Sequence, residues 1–190
     1  MILWSVRELS ELEQLQRKGF LSTDPKRIDP DYLTAYHWIS RQLEKKVPKP
    51  RKDYHYPIWA WQCWDSNRSC RPDLRVRWGK RGERMVLISF EIPDKLVLLS
   101  DFHLWHFVLN RSFLANNQQA EDDFSALSRK KDKASQTLCE QKITDSWQYI
   151  FDWQAVDTTY FGEGLGTSIQ AVCWEIRTDW IKSVRLFKSK

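Results

Sequence analysis

The chain has 190 residues, 42% of them hydrophobic and 29% charged, with 30 Lys+Arg against 25 Asp+Glu for a net charge of +5. That length supports one well-buried core, the apolar fraction excludes disorder, and a mean hydropathy of −0.61 with no apolar run near ~18 residues excludes a membrane-crossing helix. Charge enters at Arg7-Glu8 before the apolar stretch of a leader could form, so the expectation is a cytoplasmic globular protein with residues 1–190 as a single domain.

Ile2-Leu3-Trp4 reads as a short strand running into a helix. Ser5 followed by Glu8 has capping-box spacing, and Val6, Leu9, Leu12 and Leu15 give that helix an apolar stripe that Gly19 ends. A second helix is expected from Asp29-Pro30, with Tyr32, Tyr36, Ile39 and Leu43 on its buried face. It gives way to the basic, proline-punctuated stretch 45–52, a surface loop. The segment 56–64 reads as a strand covered on both faces. An arginine-rich loop over 68–84 follows, then strands at 85–91 and 96–99 split by the turn pair Pro93-Asp94.

Asp101 caps the next expected helix, which carries Leu104, Trp105, Val108 and Leu109. Residues 115–144 turn polar and read as a mobile, partly helical insertion. A short helix over 145–153, a loop spaced by Gly162, Gly164 and Gly166, a strand over 168–176 and a last strand over 184–187 close the chain. Strands scattered among helices without regular alternation give an α+β class with a mixed or largely antiparallel sheet.

Tryptophan occurs 11 times, which suits both cores and aromatic-walled pockets. Cys63, Cys70, Cys139 and Cys173 form no CxxC pair, so free thiols are expected. Zinc knuckles need closer ligand pairs than Cys63 and Cys70, and His103-x-x-His106 alone is weak, so no metal site is expected. The chain has no GxSxG elbow, P-loop or HExxH, and its glycine loop precedes a strand, the reverse of a dinucleotide fingerprint. The basic stretches 45–52 and 68–84 flank the Trp-rich strand, a combination that suits binding of nucleic acid or a protein partner.

Two resemblances join these features. The opening, Ile2 to Val6 through Gly19-Phe20-Leu21, resembles that of the small bacterial ADP-ribosyltransferase-type folds. The late segment Gly164 to Glu175, followed by Trp180-Ile181-Lys182-Ser183-Val184, resembles their loop, Gln-bearing strand and closing Ile-x-x-Val. Nearly the whole chain also resembles a family of uncharacterised bacterial domains, through Pro57-Ile58-Trp59-Ala60-Trp61, Arg71-Pro72-Asp73-Leu74-Arg75 and Leu98-Leu99-Ser100-Asp101-Phe102.

The first resemblance implies an ADP-ribosyltransferase-like scaffold that binds NAD or a related nucleotide as substrate, with no tightly bound cofactor. The implied catalytic positions are Gln170 and Glu175, and the implied nucleotide site draws on Trp4, Ser5, Tyr36, Trp59, Trp61, Arg71 and Arg75. A dianionic pyrophosphate with two flat bases needs just such cations and aromatic walls. Transferases of this type carry Gln-x-Glu or Glu-x-Glu where this chain reads Gln170-Ala171-Val172, and strand alternation turns Glu175 to the face opposite Gln170. The same type carries His or Arg on its first strand, where Trp4 or Ser5 stands here.

Overall fold

Strand β1 (Ile2–Glu8) runs well past Trp4 in the computed structural model, which describes residues 1–190. Ser5 and Val6, expected to open the first helix, lie in this strand, and α1 (Leu9–Lys18) starts after Glu8. A capping box does form, one turn later. The Glu8 carboxylate accepts from the third helical amide, and the Glu11 carboxylate accepts from the Glu8 N–H at 3.1 Å. The cause of the shift is pairing: every residue from Ile2 to Glu8 faces a residue of β4 (Arg84–Glu91), and seven cross-strand pairs outweigh a cap at Ser5. Gly19 ends α1 as expected, at φ 80° with its N–H donating to the Leu15 carbonyl at 2.9 Å.

The main sheet adds β3 (Ile58–Cys63), β5 (Leu98–Asp101), β6 (Ile169–Cys173) and β8 (Ile181–Lys188), in the order β5-β6-β3-β1-β4-β8. The pairings from β6 through β3, β1 and β4 to β8 are all antiparallel. Two short strands, β2 (Phe20–Leu21) and β7 (Ile176–Arg177), pair in a small second sheet. The class is α+β with a largely antiparallel sheet. One face of the sheet carries Leu3, Ile58, Ala60, Ile88, Phe90 and Ala171, and with Leu12 and Leu15 of α1 these form the core. Asp29-Pro30 opens a 3-10 turn, Pro30–Tyr32, and α2 (Leu33–Lys46) begins after it. Tyr32, expected on the buried face, therefore sits in the turn and is exposed, while Ile39 and Leu43 are buried.

By compactness the chain divides into two units, Met1–Leu99 with Ile169–Lys190, and Ser100–Ser168. The second unit is helical, with α3 (Phe102–Leu109), α4 (Gln118–Ser128), α5 (Lys133–Ser146) and the short α6 (Thr158–Phe161). The polar residues 115–144 thus hold α4 and most of α5. Phe113 and Phe124 stack with ring centroids 4.1 Å apart, and the Trp147 indole N–H donates to the Ser112 carbonyl at 2.9 Å. Asp101 caps α3 as expected and does more. It is fully buried; its Oδ1 accepts from the Leu104 N–H at 2.9 Å and its Oδ2 from the Gly166 N–H at 2.7 Å. One carboxylate therefore ties the start of α3 to the glycine loop. No helix is long and apolar enough to cross a membrane.

Candidate functional site

β1 and β3 share a single paired position, Trp4 opposite Trp61, and then part. Side chains replace the missing ladder. The Ser5 hydroxyl donates to the Trp59 carbonyl at 2.9 Å, and Nη2 of Arg7 donates to the same oxygen at 2.6 Å. Nε of Arg7 donates to the Ser5 hydroxyl at 2.7 Å, and its Nη1 lies 3.6 Å from the Glu11 carboxylate. Arg7 alternates with Leu3 and Ser5 on the core-facing side of β1, so a cation stands where an apolar residue is the rule. Burial draws its pKa below the ordinary guanidinium value, against the opposing pull of Glu11, and a guanidinium stays charged through such a shift.

Where the strands part lies a cavity of about 280 Å³, lined among others by Arg7, Glu8, Glu11, Arg27, Tyr36 and Trp59. Arg27 bonds to Glu8 and lies 3.2 Å from Glu11, and its side chain is 45% exposed. The cavity thus holds two arginines, two glutamates and Asp24, one arginine fixed and the other at the surface. Tyr36 meets Trp59 edge-on, with centroids 6.2 Å apart, and burial raises the Tyr36 pKa. Trp78 also lines the opening. It comes from the arginine-rich loop, where its indole N–H donates to the Asp73 carbonyl at 2.9 Å and its ring packs on Trp64.

Of the sequence-expected residues, Tyr36 and Trp59 line this cavity, and Ser5 holds Arg7 beside it. Trp4, Trp61 and Gln170 stand in one row across β1, β3 and β6, on the face opposite the apolar core. Gln170 is 5% exposed and its amide nitrogen has no hydrogen-bond partner. Arg71 and Arg75 do not reach the cavity. Both are exposed, and Arg75 is engaged by the Asp73 carboxylate, whose pKa the hydrogen bonds from Arg75 lower to about 2. Glu175 is not brought to Gln170 either. It follows β6, accepts from the Tyr54 hydroxyl at 2.6 Å, and lines a separate pocket with Trp174 and Trp180. Val172, where the resemblance would place a glutamate, is fully buried.

The cations of the cavity, Arg7 and Arg27, were missed by the sequence reading. Arg7 left a signal, a charged residue at an inward strand position, but the strand was ended before it. Arg27 left none, since it reaches Glu8 and Glu11 only through the fold.

The expectation of four free cysteines is corrected: Cys63 and Cys70 form a disulfide, and Cys139 and Cys173 are free. The spacing hides the pair because the chain doubles back, with the Trp64 N–H donating to the Cys70 carbonyl at 2.8 Å and Asp65 bridging Ser69. No group of three or more His, Cys, Asp or Glu side chains is disposed to hold a metal ion.

No solved structure matches this chain. A family model described as a domain of unknown function, DUF3841, matches residues 2–182. That span takes in β1 and its arginine, the parted strands, the Trp-bearing loop and the row ending at Gln170, and the chain belongs to this family.

Proposed function

We propose that this chain binds a nucleotide, NAD or a related molecule, with one nucleotide moiety seated in the cavity where β1 and β3 part. The observation that carries the reading is the meeting of a fixed, half-buried arginine with aromatic walls in one opening: Arg7 beside Tyr36, Trp59 and Trp78. A guanidinium has five N–H donors, and the contacts of Arg7 to Ser5, Trp59 and Glu11 engage three, which leaves donors for a phosphate oxygen. Arg27 is exposed enough to turn from the glutamates to a phosphate, and the rings supply stacking for a flat base. The volume suits one half of NAD rather than the whole dinucleotide.

The ADP-ribosyltransferase-like scaffold belongs to this reading, supported by the antiparallel sheet and by Gln170 beside Trp61. Transfer or nicotinamide release needs a carboxylate near the developing oxocarbenium centre, and the carboxylates of this cavity are Glu8, Glu11 and Asp24, not Glu175. The reading is therefore one of binding first, with nicotinamide release as the assay that extends it.

The test is intrinsic tryptophan fluorescence during titration with NAD and with ADP. The expected result is saturable quenching by at least one of them, with affinity lowered about tenfold or more in Arg27→Ala. That variant should keep its melting temperature within a few degrees, because an exposed ion pair contributes little, about 1 kcal/mol or less. Absence of quenching, or an Arg27→Ala variant that binds as the parent does, overturns the reading.

One observation favours a second reading, contact with nucleic acid. Arg71, Arg77, Lys80, Arg81 and Arg84 are all exposed, and none has a carboxylate partner. Quenching by a short single-stranded oligonucleotide that falls steeply with salt would favour it.

A further inference from the structure

The main sheet ends in an eight-residue edge, β8, whose only strand neighbour is β4. Edges of this length offer a row of free backbone N–H and C=O groups to any extended chain, and native proteins usually shorten or cover them. This one pairs with β4 at seven positions, from Arg84 opposite Lys188 to Phe90 opposite Ile181, in unbroken register from Lys188 to Ser183 and with a register shift beyond it. Its far end is tied down as well: the Ser189 N–H donates to the Glu83 carbonyl, and the Ser189 hydroxyl accepts from the Trp78 and Gly79 amides at 3.2 Å each. The edge is formed in advance.

Its side chains are unusual for solvent. Val184 and Leu186 stand opposite Ile88 and Val86, on the face that is core elsewhere in the sheet, yet they are 42% and 58% exposed. The apolar row of the core thus continues outward onto an uncovered strand. Lys182, Arg185 and Lys188 lie along the same strand, which contains no acidic residue, and Lys190 follows it. Only Lys182 has a carboxylate, Glu91 at 2.5 Å.

We propose that β8 is a docking edge for an extended acidic peptide of a partner protein, which adds as a seventh strand with alternating apolar and acidic residues. Its backbone pairs with the free edge, its apolar side chains cover Val184 and Leu186 on one face, its carboxylates stand beside Arg185 on the other, and Lys188 and Lys190 at the end of the strand add to the positive charge it meets. Charge selects this occupant over a second copy of the chain. The antiparallel self-pairing that sets Val184 opposite Leu186 also sets Arg185 opposite Arg185 and Lys182 opposite Lys188, like charges at every charged position of the strand. The cations that repel a copy are those that attract an acidic strand.

The test is fluorescence anisotropy with a labelled synthetic peptide of alternating valine and glutamate, as long as β8, at physiological salt. Three results are expected: saturable binding, at least tenfold weaker binding to the Arg185→Glu/Lys188→Glu variant, and at least tenfold weaker binding of the same peptide N-methylated at alternate residues. The methylated peptide keeps every charge and loses the backbone donors of one edge, so it separates strand addition from simple charge attraction. Failure of the parent peptide to bind overturns the proposal, as does equal binding of the methylated form. Displacement of the peptide by a single-stranded oligonucleotide as effectively as by unlabelled peptide, or a dimer of the free protein that the peptide dissociates, assigns the edge to another occupant and likewise overturns it.

Discussion

At the scale of the residue, the buried polar groups mark where the fold departs from simple packing. Arg7 interrupts the inward row of β1, and the fold meets its cost with three partners, Ser5, the Trp59 carbonyl and Glu11. Gln170 is the opposite case, with a buried amide nitrogen left unpaired. An unpaired buried donor contributes a desolvation cost, so Gln170→Leu is expected to leave stability within about 1 kcal/mol of the parent or raise it, read from urea denaturation. A loss of more than about 2 kcal/mol would mean the amide is satisfied in solution. Cys173 is 1% exposed, and burial pushes its thiol up to about 12 from an ordinary 9.0. The folded chain then holds a proton that the unfolded chain releases, so this residue's contribution to stability is complete below pH 9 and declines as pH rises from 9 toward 12. Iodoacetamide at pH 8 should accordingly label the half-buried Cys139 and spare Cys173 in the folded protein, which peptide mass mapping would read.

Elements show how local signals compete. The capping-box pattern in the sequence was real in kind and wrong in place, because pairing with β4 carried the strand through Ser5 to Glu8 and left Glu8 and Glu11 to form the box. The stop at Gly19 was legible, since a left-handed residue after an apolar stripe is a strictly local requirement. A Cβ at Gly19 meets nothing within 4 Å, so the cost of Gly19→Ala is backbone strain alone, expected at about 1 kcal/mol in thermal or urea unfolding. The loop from Cys63 to Cys70 is the element where local reading failed. Its disulfide closes a sequence separation of 7, which by loop-closure entropy stabilises the fold by roughly 2 kcal/mol. Reduction, or Cys70→Ser, should lower the melting temperature by roughly 4–8 °C. It should also alter emission from Trp64, which sits inside the bridged loop and packs on Trp61 and Trp78. An unchanged melting curve under reductant would show that the backbone bonds of this loop suffice without the bridge.

On the scale of the molecule, the first unit is assembled from both ends of the chain, Met1–Leu99 and Ile169–Lys190. β6 and β8 enter the sheet on opposite sides of β1, and each brings a property that no local window contains. β6 carries Gln170 next to Trp61, and β8 leaves its apolar residues on an open edge. Residues expected to act together are separated by the same topology: Glu175 lies beyond the end of β6 with Tyr54, and Arg71 and Arg75 stay on an exposed loop that contributes Trp78 instead.

The sequence by itself determined the α+β class, most strands and helices, the cap at Asp101 and the stop at Gly19, because periodicity, capping and left-handed turns act within a few residues. It also carried the resemblance to a domain family that the chain proves to belong to. Only the tertiary structure decided where β1 ends, that Cys63 bonds Cys70, and that Arg7 and Arg27 rather than Arg71 and Arg75 face Tyr36 and Trp59. It also decided that β8 is an edge. The reason is physical: strand partners distant in sequence set each of these outcomes, and pairing energy is shared across the sheet rather than written in the spacing of any one segment.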